Sequence, residues 1–272
     1  MLSVMCGLLL FSVGFVASSY NTFLKKFDVQ PLVEQADEDD VSTWTDHSNF
    51  LECAYPTDCT LIQKCNHTKS GVYRVFPFGV GKGFLVYCDM VTQGGGWLVF
   101  QRRQDGSVDF FRNWKNYTDG FGKLYGEFWL GLQKIHLLTS QAHFELLVNM
   151  RSYTLGTGYA SYSRFRVADE SHNFRLLLGT FKGNAGDAMD YGNGLEFSTY
   201  DRDNDYSPGS CAASDHGAWW YNFCHYSNLN GLYVHVKEKF TVNTSSVTWY
   251  HWSSKYLPLQ FSEMKIRPVK IH

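Results

Sequence analysis

This chain has little charge, little proline and no catalytic signature. Only 18% of its 272 residues are Asp, Glu, Lys or Arg, and 24 basic against 26 acidic side chains leave a formal charge of −2. Without a positive excess no global field holds a phosphate backbone, so nucleic acid is not an expected partner. No Gly-x-Ser-x-Gly elbow, His-Glu-x-x-His pair or Walker loop is present, and the Gly79-x-Gly-x-Gly83 run lacks the rest of a dinucleotide fingerprint. An enzyme is therefore not expected, since even a His225–Asp215 base pair has no nucleophile to serve. Gly-X-Y triplets and sustained heptads are also missing, which excludes a collagen stalk and a coiled coil. No apolar run reaches the roughly 20 residues of a membrane span, so membrane insertion is not expected.

The uncharged stretch 2–17, followed by the small residues Ser18 and Ser19, has the form of a secretory leader over residues 1–19, with an uncleaved signal anchor as the alternative. Residues 20–52 include the acidic run 34–40 (EQADEDD) and few periodic apolar positions, and read as a flexible tether. From residue 53 to 272 the chain is one dense block without an internal repeat. Eight Trp, 17 Tyr and 21 Phe exclude disorder. Seven cysteines become an even set of six once Cys6 in the leader is set aside, and an even set in a secreted chain reads as disulfides. Sequons at Asn66, Asn116 and Asn243 agree with a secreted, extracellular glycoprotein.

Period-two alternation predicts strands over 143–151 and around Phe165 and Val167; residues 174–182, apolar on both faces, read as a central strand, and Trp97 to Gln101 after the triple glycine as a fourth. Apolar spacing of three and four predicts a helix over 124–138. After Asp187 the chain is rich in Gly, Asn, Asp and aromatics with little period, so something other than ladders must hold that half. Disulfides are one candidate. The alternating Asp201, Asp203 and Asp205 are another, because this spacing can aim carboxylates at one hard cation such as calcium, although a solvated acidic turn has the same spacing. An EF-hand is excluded, because Tyr206 and Ala212 stand where it needs Gly and Glu. Trp219, Trp220 and Tyr221 read as packing residues that replace a missing ladder.

Taken in order, Ser70-Gly-Val-Tyr73, Val86-Tyr-Cys-Asp-Met90, Gly94-Gly-Gly-Trp97, Phe100-Gln-Arg-Arg103, Glu127-Phe-Trp-Leu-Gly131, Asp201-Arg-Asp-Asn-Asp205, Trp219-Trp-Tyr221, Cys224-His225 and Met264-Lys-Ile-Arg-Pro268 resemble a fibrinogen-like C-terminal domain. The resemblance covers residues 53–268 and implies an α+β fold: an N-terminal lobe, a central antiparallel sheet with helices, and a loop-rich C-terminal lobe carrying the sites. It implies Cys59–Cys88 and Cys211–Cys224 pairs, and calcium held by the side chains of Asp203 and Asp205 with carbonyls of Ser207 and Gly209. It further implies a ligand pocket at Asp215, Phe223, Cys224 and His225, with a cis peptide bond between Phe223 and Cys224.

Lectin-like members take acetyl groups in that pocket. Here Asp215 replaces a tyrosine of an acetyl-binding relative, and a second tyrosine has no equivalent in segment 237–246, where Phe240 or Asn243 stands; a glycan on Asn243 would crowd the pocket. Asp215 with His225 is also similar to the fibrinogen γ chain pocket for a cationic peptide N-terminus. The expected function is secreted, lectin-like, calcium-dependent recognition of carbohydrate or acetylated ligands in innate immunity or extracellular matrix, with a receptor-binding signalling ligand or a peptide-binding matrix or adhesion protein as the alternative. Expected partners are acetylated glycans or matrix and cell-surface proteins. Cys53 and Cys65 either bridge each other or leave Cys53 to join two chains, and the expectation is the interchain link of a disulfide-linked homo-oligomer.

Overall fold

The computed structural model describes residues 52–78, 81–235 and 243–269. The expected leader, nearly all of the tether, and Phe240 lie outside the described residues. A short helix α1 (Cys59–Lys64) starts where Asp58 accepts hydrogen bonds from the amides of Thr60 and Leu61. The chain then builds a seven-strand antiparallel path from β1 (Gly71–Val75), β2 (Phe84–Asp89), β3 (Trp97–Arg103), β6 (Phe144–Ser152), β7 (Gly156–Val167), β8 (Leu176–Leu178) and the last strand, β12 (Leu259–Pro268). Their order is β1-β2-β3-β12-β6-β7-β8, with the short β4 (Phe121–Gly122), β5 (Phe128–Trp129) and β9 (Phe181–Gly183) off this path. Helices α2 (Trp114–Asp119) and α3 (Leu132–Gln141) complete the central part. The α+β architecture expected from the resemblance is the one observed.

Two expected elements differ. The helix predicted over 124–138 begins only at Leu132, because Gly131 takes φ +107° and a Cβ there would stand 2.6 Å from the backbone carbonyl carbon of Asp119. Phe128 and Trp129 instead pair with β3. The strand predicted as central over 174–182 is split into β8 and β9 at Gly179, and both pair with β7 at the sheet's margin. Its apolar residues reflect burial against the C-terminal lobe, where Phe174 is fully buried and its carbonyl accepts from the Trp220 indole at 2.8 Å.

The central strand is β12, whose alternating Glu263, Lys265 and Arg267 suggest a wet face. They are instead closed into an ion-pair ladder. Lys265 Nζ lies 2.6 Å from Asp89 and 2.9 Å from Glu263, and Glu263 accepts from Arg102 Nε at 2.7 Å. Arg267 binds Glu145 at 2.7 Å and lies over the Trp97 ring at 4.2 Å. Burial pushes the Asp89 carboxyl up, but the hydrogen bonds and charge of Lys265 outweigh this and hold it at about 2. On the opposite face, Leu98, Phe100, Leu146, Val148, Met264 and Ile266 pack with Leu132, Ile135 and Leu138 of α3.

Among the described residues, the C-terminal lobe has one two-residue ladder, β10 (Ser227–Asn228) with β11 (Thr248–Trp249), and a four-residue helix α4 (Cys211–Ser214). Aromatic packing takes the place of strands. Trp220 contacts Trp129, Phe165, Phe197 and Trp219, and Trp249 donates to Ala185 O at 3.0 Å. Burying each such ring removes roughly 200 Å² from water, an upper bound of about 5 kcal/mol. Two polar residues on the sheet's inner face tie the lobe down: Gln101 donates to Leu229 O at 2.9 Å and Arg103 to Gly231 O at 2.6 Å.

Candidate functional site

Three disulfides are formed: Cys53–Cys65, Cys59–Cys88 and Cys211–Cys224, with Cα atoms 5.7, 5.6 and 5.3 Å apart. The expected interchain link at Cys53 is corrected by this pairing. α1 ends at Lys64 and delivers Cys65 within bridging reach of Cys53, so that sulfur is consumed inside the chain.

The Cys211–Cys224 bridge joins the two halves of the expected site. On one side lies the acidic loop. Its first carboxylate is engaged within the fold: Asp201 Oδ1 accepts from the Trp114 amide at 2.9 Å and from Thr199 Oγ1 at 2.7 Å, which anchors α2 to the lobe. Asp203 and Asp205 remain, and the Asp205 amide donates to the Asp203 carboxylate at 3.2 Å. Asp205 also accepts from the amides of Ser207 and Cys211, both at 2.9 Å. Burial, with a further push from the facing Asp203 carboxylate, raises the Asp205 carboxyl to about 6 despite those amides. No Lys, Arg or His of the described residues lies within 4 Å of either carboxylate.

Two facing carboxylates with no cationic side chain beside them, next to a turn of backbone carbonyls, form a hard-oxygen donor set that fits calcium. The described residues contain no cluster of three or more His, Cys, Asp or Glu arranged for a metal. A site here therefore needs carbonyl ligands such as those of Ser207 and Gly209.

On the other side of the bridge, Asp215 and His225 are brought together with Nε2 3.5 Å from Oδ2, and side-chain exposures of 9% and 2%. At that distance the contact is electrostatic, and neither ring nitrogen of His225 has a hydrogen-bond partner. Burial raises the Asp215 carboxyl, but the imidazole beside it more than offsets this and holds the group below its ordinary value. The peptide bond between Phe223 and Cys224 is trans, as are all the described ones. This corrects the expected cis bond: the Asn222 amide closes its turn onto Cys224 O at 2.8 Å with the peptide trans, which avoids the 3–4 kcal/mol of a non-proline cis bond. Phe223 is 66% exposed and stands at the rim.

Sequence reasoning missed a run of tyrosines around this pair. The Tyr256 ring lies 5.4 Å from His225, and its hydroxyl donates to His225 O at 2.9 Å. Tyr256 meets Tyr250 at 4.8 Å, Tyr250 meets Tyr226 at 5.4 Å, and Tyr226 meets Tyr191 at 4.6 Å. All four rings are half-buried. The signal available was composition alone, because these residues come from three separate loops. Asn243 also belongs here, since its amide donates to Tyr256 O at 3.0 Å. Of the other sequons, Asn66 is exposed on the N-terminal lobe and Asn116 lies in α2, where its amide is capped by Asn113.

Comparison with known proteins agrees with this geometry. The family described as fibrinogen beta and gamma chains, C-terminal globular domain, matches residues 55–269. Fibrinogen C domain-containing protein 1 of Xenopus tropicalis is 46% identical over 220 residues, covering 79% of this chain and 48% of that protein. Human tenascin-R is 46% identical over 215 residues, covering 79% of this chain and 15% of its own. This chain thus spans about half or less of the length of these relatives. The fibrinogen-like globe domain of human ANGPTL2 superposes with TM-score 0.75 at 41% identity, covering 78% of this chain and 98% of that one. Lamprey fibrin D-dimer, solved with the peptide Gly-His-Arg-Pro-amide, gives TM-score 0.72 at 31% identity, covering 97% and 88%. None of these names states a reaction.

Proposed function

Because the chain belongs to the fibrinogen C-terminal domain family, we propose that it is a calcium-supported extracellular recognition protein whose pocket beside the Cys211–Cys224 bridge takes acetylated glycans. The observation that carries this reading is that one disulfide couples the Asp203–Asp205 carboxylates to the Asp215–His225 pair and its tyrosine surround. Half-exposed tyrosines offer flat apolar faces to a sugar ring and hydroxyls at their edges. Asp203 and Asp205 would hold the ion, with carbonyls of Ser207 and Gly209. Calcium would supply the positive charge that lets these two carboxylates stay ionised side by side. Because Cys211 is bonded to Asp205 through its amide and to Cys224 through sulfur, order in the loop reaches the pocket through covalent and hydrogen bonds. A site filled at ten times its dissociation constant adds about 1.4 kcal/mol by mass action.

A second reading is favoured by Asp215. A buried carboxylate held below its ordinary value beside the pocket suits a cationic peptide N-terminus, and the lamprey relative is solved with a peptide ligand. Retention on acetylated-sugar resin, measured against resin carrying a free-amine peptide, discriminates the two. The glycan reading expects retention on acetyl groups that is lost with EDTA and in His225→Ala. Retention that ignores both treatments would sink it. Binding to the peptide resin alone, lost in Asp215→Asn, transfers the pocket to the second reading.

A further inference from the structure

Where α3 ends and the chain turns into β6 lies a cavity of about 210 Å³ walled by Ser140, Gln141, His143, Arg164 and Arg166. At ~30 Å³ per water that is room for several solvent molecules or one tetrahedral oxyanion with its escort. Arg164 and Arg166 sit two positions apart on β7, about 6.6 Å along the strand, and both are exposed, while Phe165 between them is buried. Lys182 on β9 shares their outward face, since its Cα partner is Ser161 while the adjoining Phe181 pairs with buried Tyr162.

None of these three cations has a carboxylate within 4 Å among the described residues, although every acid nearby is engaged elsewhere. Glu145 on β6 is held by Nε and Nη2 of Arg267 at 3.0 and 2.7 Å. Asp169 accepts from Ser171 and the His172 amide, and Glu170 from the Trp114 indole and Gln133. The carboxyl end of α3 brings about half a negative charge, against two full charges on the guanidiniums and a third on Lys182. The side chains of Ser140 and Gln141 both donate to Leu137 O, which satisfies that carbonyl of the last turn.

We propose that this cavity is a second binding site, for the sulfate groups of a sulfated polysaccharide. A planar guanidinium pairs two N–H donors with two oxygens of a tetrahedral oxyanion, and two such forks at strand spacing suit an anion ester repeated along a polymer. Nucleic acid carries the same oxyanion chemistry but needs a longer basic track, which a chain of net charge −2 does not provide. The site lies on the central sheet, independent of calcium and of His225, so its test does not depend on the lobe pocket.

The experiment measures binding of the full chain to an immobilised heparin dodecasaccharide. Arg164→Ala/Arg166→Ala weakens binding at least tenfold, while Lys123→Ala/Lys255→Ala, which removes the same charge from other exposed positions, stays within about twofold. De-N-sulfated, de-O-sulfated heparin fails to bind, and EDTA changes nothing. In the wild type, the dodecasaccharide also protects Arg164 and Arg166 from an arginine-selective dicarbonyl reagent, a readout that needs no variant to fold. Equal weakening by both double variants, binding to the desulfated polymer, absence of protection, or equally tight binding of a single-stranded DNA of matched charge would each overturn the proposal.

Discussion

Replacing Lys265 by Met tests the ladder on β12. In the native protein its ammonium touches Asp89 at 2.6 Å and Glu263 at 2.9 Å, with 2% of the side chain exposed. Methionine fills nearly the same volume but leaves Asp89 ionised and without its cation, and leaves Glu263 with Arg102 alone. Removing one partner of a buried ion pair destabilises by about 3–5 kcal/mol, a large share of the 5–15 kcal/mol typical of a whole domain.

The pH dependence identifies the cause. Asp89 stands at about 2 in the native protein against an ordinary 3.8, a difference worth about 2 kcal/mol. A depressed carboxyl contributes stability that is present above the unfolded value and is lost as pH falls from about 4 to about 2. In the variant the ammonium is gone while burial and the hydrogen bonds from Val91 and Thr92 stay, so the Asp89 carboxyl rises from its native position. Between about pH 4 and pH 2 the variant then loses less stability than the native protein does. Urea denaturation at pH 7, 4 and 3 measures this, and Asp89→Asn added to the variant returns at least about 1 kcal/mol at pH 7. A loss below 1 kcal/mol at pH 7, or parallel pH profiles for variant and native protein, refutes the reasoning.

On the proposed calcium reading, affinity for the ion falls as pH drops through about 6, because burial and the facing Asp203 raise the Asp205 carboxyl to that range and protons then compete with the ion; calorimetry at pH 7.5 and 5.5 tests this, and equal affinities refute it. Cys53→Ala exposes one titratable thiol, that of Cys65, and leaves the pattern of disulfide-linked species on non-reducing gels unchanged; disappearance of a linked species would restore Cys53 to an interchain role. Gly131→Ala forces a side chain into φ +107° and against the Asp119 backbone at 2.6 Å, which costs at least about 2 kcal/mol and lowers the melting temperature by about 4–8 °C; a change of under 2 °C would show that the turn relaxes.

The sequence carried the strands at Trp97, Phe144 and Phe165 and the ordered motifs of the family, because period-two alternation and motif order are local properties of the chain. It hid β12, since Glu263, Lys265 and Arg267 imitate a solvent face when their partners Asp89, Arg102 and Glu145 are more than 100 residues away. The predicted helix ran too long because apolar spacing cannot show that Asp119 closes on Gly131. In the acidic loop, spacing made three aspartates equivalent. The family resemblance already leaves Asp201 out of the calcium set, and the fold turns it to the amide of Trp114. Likewise Asp215 and His225 could be named from motif positions, but the tyrosines that surround them come from loops joined by neither period nor spacing. Composition and pattern determined that this chain folds, as which family and without a catalytic elbow or metal-hydrolase motif. Long-range pairing decided which charges are buried, which cysteines meet and which side chains face a ligand, because those are properties of distance in space, which a linear pattern encodes only where neighbours in sequence are neighbours in the fold.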